Sequence, residues 1–445
     1  MSDFRDEQER QWPQLEAMKE YTDEILIPPG IDASIWNGIR AARPRRRRKI
    51  YTRLAAYTAC LLLLVSVASV RFSPVVAAYV GEIPGLRALV ELIHYDKGLE
   101  LALENDFMQP VGLSAVQDGI RMTIDGVIAD DSRIVVFYTL ENEEKQKSVI
   151  NLKTVELVDN KDISIASSFY PSEEGWKSIQ GTFEFYPNQG AGIPDNLNMR
   201  FVLDKVTETA TTSPEWQLTV PVDKAKFEGL KEIHDINKTV TVEGQKITFG
   251  TMTVYPTRIE VEVNYDPENN KRIFYFDDLR LEDENGETFG TINNGVTGSN
   301  ISDDQQVLYF QSNYFRKPQQ LYLRASSIRA LDKDKLEVKV DLEHKKLLTR
   351  PDDLLTLNEF DQGILFFGFK DTELKDENTI NGSFSNDYRD ASGKTFHSSR
   401  GGSTITNGVK EIQYYLEQMD YQSPLTLTIS DYPTRIHGDI DIKIK

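Results

Sequence analysis

The chain has 445 residues, a formal net charge of −19, 39% hydrophobic and 27% charged residues. That length predicts two to four domains at roughly 100–200 residues each, and the apolar content excludes a disordered chain. The acidic balance excludes nucleic acid as a partner for most of the chain, and five His with one Cys exclude a disulfide framework or a cysteine-based zinc site.

Charge is unevenly spread. Residues 1–53 hold 11 basic and 9 acidic side chains, +2 locally, which leaves −21 for the remainder. Within them, Glu7–Ile25 is a charged segment with helical spacing at Leu15, Met18 and Ile25, and Pro28-Pro29-Gly30 stops it. Asp32 is placed to cap a second short helix. Ile31, Ile35 and Ile39 recur every four residues with Trp36 flanking, a stripe on one side of that helix. Two readings of the stripe stand together: a helix resting on acidic lipid headgroups, or one docking on a cytoplasmic partner.

Next come Arg45, Arg46, Arg47, Arg48 and Lys49, and then Leu54–Val70, 17 residues without a charge. Such a segment spans about 25 Å as a helix, and extending it from Ile50 to Phe72 gives about 34 Å against a hydrocarbon core of about 30 Å. The spacing predicts a transmembrane helix over 50–72. The basic cluster predicts a cytoplasmic N-terminus by the positive-inside rule, with everything beyond Phe72 outside the cell. A signal peptide would need a basic region of about 50 residues before its apolar core, far beyond the usual form. A lipoprotein site at Cys60 fits poorly because Tyr57 and Thr58 precede it.

Residues 73–110 form a membrane-proximal segment with a short amphipathic stripe at Leu86, Leu89, Val90 and Ile93. From Gly119 the pattern changes to period two. Ile120, Met122 and Ile124 alternate with Arg121, Thr123 and Asp125, Asp130-Asp131-Ser132 turns the chain, and Ile134–Tyr138 returns as a strand. GIRMTIDGVIADDSRIVVFYTLEN (119–142) is matched by GQKITFGTMTVYPTRIEVEVNYDPEN (244–269), strand, turn, Arg-Ile pair and strand in both. A weaker third copy begins at GILFFGFKDTEL (363–374). Closing strands recur as WQLTVPV (216–222), LEVKVDL (336–342) and GDIDIKI (438–444). The fold class expected is mainly β. It comprises tandem immunoglobulin-like sandwiches at 111–226 and 227–345 and a C-terminal β domain at 346–445, joined to one transmembrane helix and a helical stub of residues 1–49.

No catalytic, metal or cofactor constellation emerges. Ser392-Gly393-Lys394-Thr395 resembles the end of a phosphate loop, but Tyr388 stands where its first glycine belongs. Asp283–Glu287 is acidic yet lacks the alternating ligands of a calcium loop. The expectation is a protein that is not an enzyme and holds no cofactor.

The string GLELALENDFMQPVGLSAVQDGIRMTIDGVIADDSRIVVFYTLEN (98–142), following the arginine-flanked apolar segment, resembles the bacterial membrane family named domain of unknown function 4179. Residues 230–345 are similar to the immunoglobulin-like domain of unknown function 5643 that accompanies it. The resemblance implies an anti-sigma-like role. The stub, through Ile31, Ile35, Trp36 and Ile39, would hold a sigma factor of the extracytoplasmic-function type, and the outer β domains would sense envelope state. It implies no catalytic residues. The alternative is a structural or adhesive cell-surface protein that the stub merely anchors in the lipid bilayer.

Overall fold

The computed structural model describes Gly30, Ala33 and Trp36 and residues 92–445, apart from 144–146, 160–161, 168, 170, 189–190, 293–296, 374–380, 407 and 418–419. The chain divides into two compact units, Met1–Ala78 and Tyr79–Lys445. In the first, Gly30 takes φ +119° in a turn, and Ala33 and Trp36 are helical. The second is built of three β-sandwiches.

Period-two alternation lets one face of a strand meet the core while the other meets water. In the first sandwich one sheet runs, in spatial order, Gln109–Gln117, Ile120–Ala129, Ile134–Asn142, Ser178–Pro187 and Ile163–Ser167. Facing it, Asn196–Val206 is flanked by Val149–Leu157 on one side and by Thr211–Thr212 and Glu215–Pro221 on the other. Ile120, Met122 and Ile124 are buried as the alternation requires, and Tyr138 stacks on Phe183 at 4.3 Å between ring centres. Asp125 follows Ile124 on the alternate face, where it accepts a 2.7 Å hydrogen bond from Thr139 Oγ1. Burial pushes its carboxyl up to about 6, against the opposing pull of the Thr139 bond. The folded state therefore holds the proton more tightly than the unfolded chain, and stability falls as pH rises from about 4 through about 6. Asp125→Asn should stabilise the sandwich above that window by about 1–2 kcal/mol, after allowance for its partial exposure. Urea unfolding at pH 4 and pH 7.5 tests this: a gain of equal size at both values would remove the carboxyl's ionisation as the cause.

The second sandwich repeats the plan. One sheet runs Glu232–Val242, Gln245–Val254, Arg258–Tyr265, Gln305–Gln311 and Gly298–Ser302. In the other, Leu321–Asp332 pairs with Lys271–Phe276 and Arg280–Asp283 on one edge and with Arg435–Lys443 on the other. The third sandwich stacks Leu355–Asp361, Ile364–Lys370, Val409–Tyr415 and Gly401–Thr406 against a sheet in which Leu425–Asp431 lies between Glu337–Asp341 and Ser383–Arg389.

The two later closing strands have exchanged places relative to their order in the repeat. Glu337–Asp341 pairs with Leu425–Asp431 and buries Val338 and Val340 in the third core. Arg435–Lys443, which the repeat assigns to the C-terminal unit, pairs with Leu321–Asp332 and buries Ile436, Ile440 and Ile442 in the second. The third sandwich is thus an insertion between two neighbouring strands of the second. At the crossing, Arg435 donates to both oxygens of Asp371 (2.8 and 2.9 Å) and to Asp277 (2.6 Å), while Arg329 bridges Asp277 and Asp431 at 3.0 Å each. Burial works against the Arg435 charge, but Asp371 and Asp277 more than offset it and raise its pKa.

Lys97–Glu104 forms a short α-helix, capped by Asp96, whose carboxylate accepts from Leu99 N at 3.2 Å. This corrects the expected fold class and location. No helix among the described residues is long and apolar enough to cross a membrane, so the single-pass anchor and the cell-membrane placement with an extracellular C-terminal region are not carried further. The span 50–72 and the basic cluster Arg45–Lys49 lie outside the described residues. What the described chain does form is β-sheet, because its apolar residues recur every second position rather than in one continuous run.

Candidate functional site: the cleft between the first two sandwiches

The repeated strand–turn–strand unit places a hairpin turn at one end of each sandwich, and the turns of the first two dock on each other. Asp130 gathers Ser132 N, Ser132 Oγ and Arg133 N on one carboxylate oxygen (2.9, 2.6 and 3.2 Å), and its other oxygen accepts from Thr257 N at 2.7 Å in the second sandwich's turn. Arg133 answers from the first sandwich, donating to Thr257 Oγ1 at 3.0 Å, Thr257 O at 2.7 Å and Asp96 at 2.7 Å. Its side chain is 1% exposed. Burial disfavours that charge, yet Asp96 and Glu184 outweigh the penalty and raise its pKa. The helix wedges into the same seam. Leu99, Ala102 and Leu103 belong to the first core and Leu101 to the second, while a Cβ at Gly98 would stand 2.3 Å from Thr257 O. Two cores, one helix and a buried ion pair therefore fix this junction.

Beside the seam lies a cavity of about 510 Å³. Its floor is Arg258, the residue that follows Thr257 and the partner in the repeat of Arg133. Arg258 is buried between the rings of Tyr309 and Tyr186, 3.8 and 5.1 Å from their centres, and Nη2 donates to Glu260 at 2.6 Å. Nε and Nη1 have no hydrogen-bond partner, so the two aromatic faces serve as their neighbours. Burial raises the pKa of Glu260 against the pull of Arg258, and it pushes Tyr255 up to about 12 with help from Glu260. Tyr255 therefore stays neutral near pH 7.

The two walls are sheet edges. Ser164 and Asn188, joined by a 3.1 Å hydrogen bond, come from the rim of the first sandwich; Gly298, Ser299, Asn300 and Ile301 come from the terminal strand of the second. Among the described residues, hydroxyl, amide and main-chain groups line the slot beside the carboxylates of Asp131 and Glu260, and Arg258 is paired with Glu260. Such a lining suits recognition of a polar chain better than capture of an ion.

Of the residues that the sequence marks for partner binding, Trp36 is helical and 61% exposed, while Ile31, Ile35 and Ile39 lie outside the described residues. The sequence singles out the Arg-Ile pairs 133–134 and 258–259 only as strand grammar, and it misses both arginines as junction and cleft residues. A usable signal was present: an arginine opening an apolar, β-branched strand has few routes to water. Among the described residues no cluster of His, Cys, Asp and Glu could hold a metal ion.

Residues 46–142 match the family described as "Domain of unknown function (DUF4179)", and residues 231–357 match the "Family of unknown function (DUF5643)". The second match stops inside the third sandwich and omits Arg435–Lys443. No curated protein matches the chain. A solved conserved domain protein from Bacillus anthracis is 17% identical, with 54% of this chain and 84% of that chain covered at a TM-score of 0.37. The YadV chaperone is 10% identical, with 45% and 86% covered at a TM-score of 0.16. Likenesses this loose carry no argument about function.

Proposed function

We propose that the protein is a non-catalytic regulator of the anti-sigma-like kind. Its sandwich region recognises a signal, and the segment around Trp36 holds a sigma factor of the extracytoplasmic-function type. The observation that supports recognition is the cleft itself. A slot of about 510 Å³ is held between two sandwiches by a buried clamp and lined by polar groups over a neutralised arginine. Support for the holding role is the exposed indole of Trp36 on a helical turn; tryptophan is the residue type most enriched among interface anchors.

The test is co-purification of the full-length chain with each such sigma factor of its host. An anchoring indole contributes at least about 2 kcal/mol, so Trp36→Asp should weaken the complex about thirtyfold and raise transcription from promoters that depend on the sigma factor. Unchanged co-purification by the variant would remove the holding role and leave a structural or adhesive protein as the better reading.

A further inference from the structure

Gly298–Ser302 is the terminal strand of its sheet and, among the described residues, pairs only with Gln305–Gln311. Tyr309 N donates to Thr297 O at 3.2 Å, and the register continues as Gly298 opposite Leu308, Ser299 opposite Val307 and Asn300 opposite Gln306. In an antiparallel ladder, hydrogen-bonded and non-bonded pairs alternate. The Thr297 carbonyl and, by this alternation, the main-chain groups of Ser299 therefore face the neighbouring strand, and Gly298 and Asn300 direct theirs to the open side.

Sheet edges are ordinarily protected by proline, charge or a covering element. Here Gly-Ser-Asn-Ile-Ser carries no charge and no proline, and Ile301 is 43% exposed. A register shift after Asn300 ends the regular edge but leaves both outward residues in step. The third sandwich repeats the feature. Gly402-Ser403-Thr404-Ile405-Thr406 lies in the terminal strand of its own sheet, with Ile405 37% exposed. What sets the first of these edges apart is the wall opposite, Ser164 and Asn188 of the first sandwich, with the cavity between.

We propose that an extended peptide segment of a partner protein adds as a strand to Gly298–Asn300 and lies in this cleft. The inference rests on the reading of the sandwich region as a recognition module. The outward N–H and C=O groups of Gly298 and Asn300 fall two residues apart, the repeat of a peptide backbone and not of a sugar chain. Side chains alternating along the added strand meet Ile301 and the Tyr186–Tyr309 floor, so the favoured segment carries β-branched or aromatic residues.

The experiment selects a phage-displayed random heptapeptide library on the full-length protein, with Asn300→Pro as the counter-target. Proline at this position removes an outward N–H and no ladder bond, the placement that edge strands tolerate. Enriched peptides should bind the variant at least tenfold more weakly while its melting temperature is unchanged. On the unaltered protein, N-methylation of alternate peptide amides should cost the same tenfold, and methylation of the amides between them should cost little. That second measurement decides the matter even where Asn300→Pro lowers stability. Peptides that bind both proteins equally, tolerate methylation at every amide, or fail to enrich over the counter-target overturn strand addition. The anti-sigma reading fails separately, through the Trp36 co-purification.

Discussion

A chain ending at residue 432 should lose the second sandwich, although everything removed lies beyond the part of the chain that matches a family. Ile436, Ile440 and Ile442 are 1%, 2% and 6% exposed within that core, and the strand they ride on closes the sheet against Leu321–Asp332. Each buried isoleucine contributes about 1.5–3 kcal/mol, so the deletion removes about 5–9 kcal/mol from a domain whose whole stability is of order 5–15. Arg435, which ties Asp277 to Asp371, leaves with it. Calorimetry of the shortened chain should show the unfolding enthalpy of the second sandwich missing, and a synthetic peptide of residues 433–445 should restore it. The third sandwich should persist, because its closing strand Glu337–Asp341 remains. An unaltered melting profile would mean that the exchange of strands contributes nothing.

The same strands show where sequence reading runs out. Period two locates Ile120–Ala129, Ile134–Asn142, Gln245–Val254 and Arg258–Tyr265 because the burial of one face is written into the order of residue types. It finds LEVKVDL and GDIDIKI as strands for the same reason. Which sheet each joins is another matter. Both present alternating apolar residues of similar size, and either pattern fits either edge, so the choice rests on the connections and on charges such as Arg329 and Arg435 that meet Asp277 only in three dimensions. The cleft is less legible still. Its floor is one member of a repeated Arg-Ile pair, and only the docking of two turns separates the role of Arg258 from that of Arg133. The edge strand Gly298–Ser302 looks like loop in sequence, since Gly, Ser and Asn favour turns. It becomes a strand because Gln305–Gln311 beside it is strongly patterned.

Arg133→Ala should uncouple the first two sandwiches at a cost of about 3–5 kcal/mol, the range for removing one partner of a buried ion pair. The substitution leaves Asp96 without its cation and Thr257 Oγ1 and O without their donor. Arg121→Gln, which breaks the exposed Arg121–Glu143 pair, should cost no more than about 1 kcal/mol and serves as the matched control. Gly98→Ala attacks the same seam by volume alone, since its Cβ would sit 2.3 Å from Thr257 O and neither backbone can yield without moving a sandwich. Both seam variants should therefore split one calorimetric transition into two and increase the radius of gyration in small-angle scattering, while the control changes neither. They should also lose whatever peptide the cleft selects, although neither residue lines it, because the two walls are held at their spacing by the clamp. Retention of peptide binding by a chain whose sandwiches have visibly separated would show that the terminal strand Gly298–Ser302 acts alone, without the wall of the first sandwich.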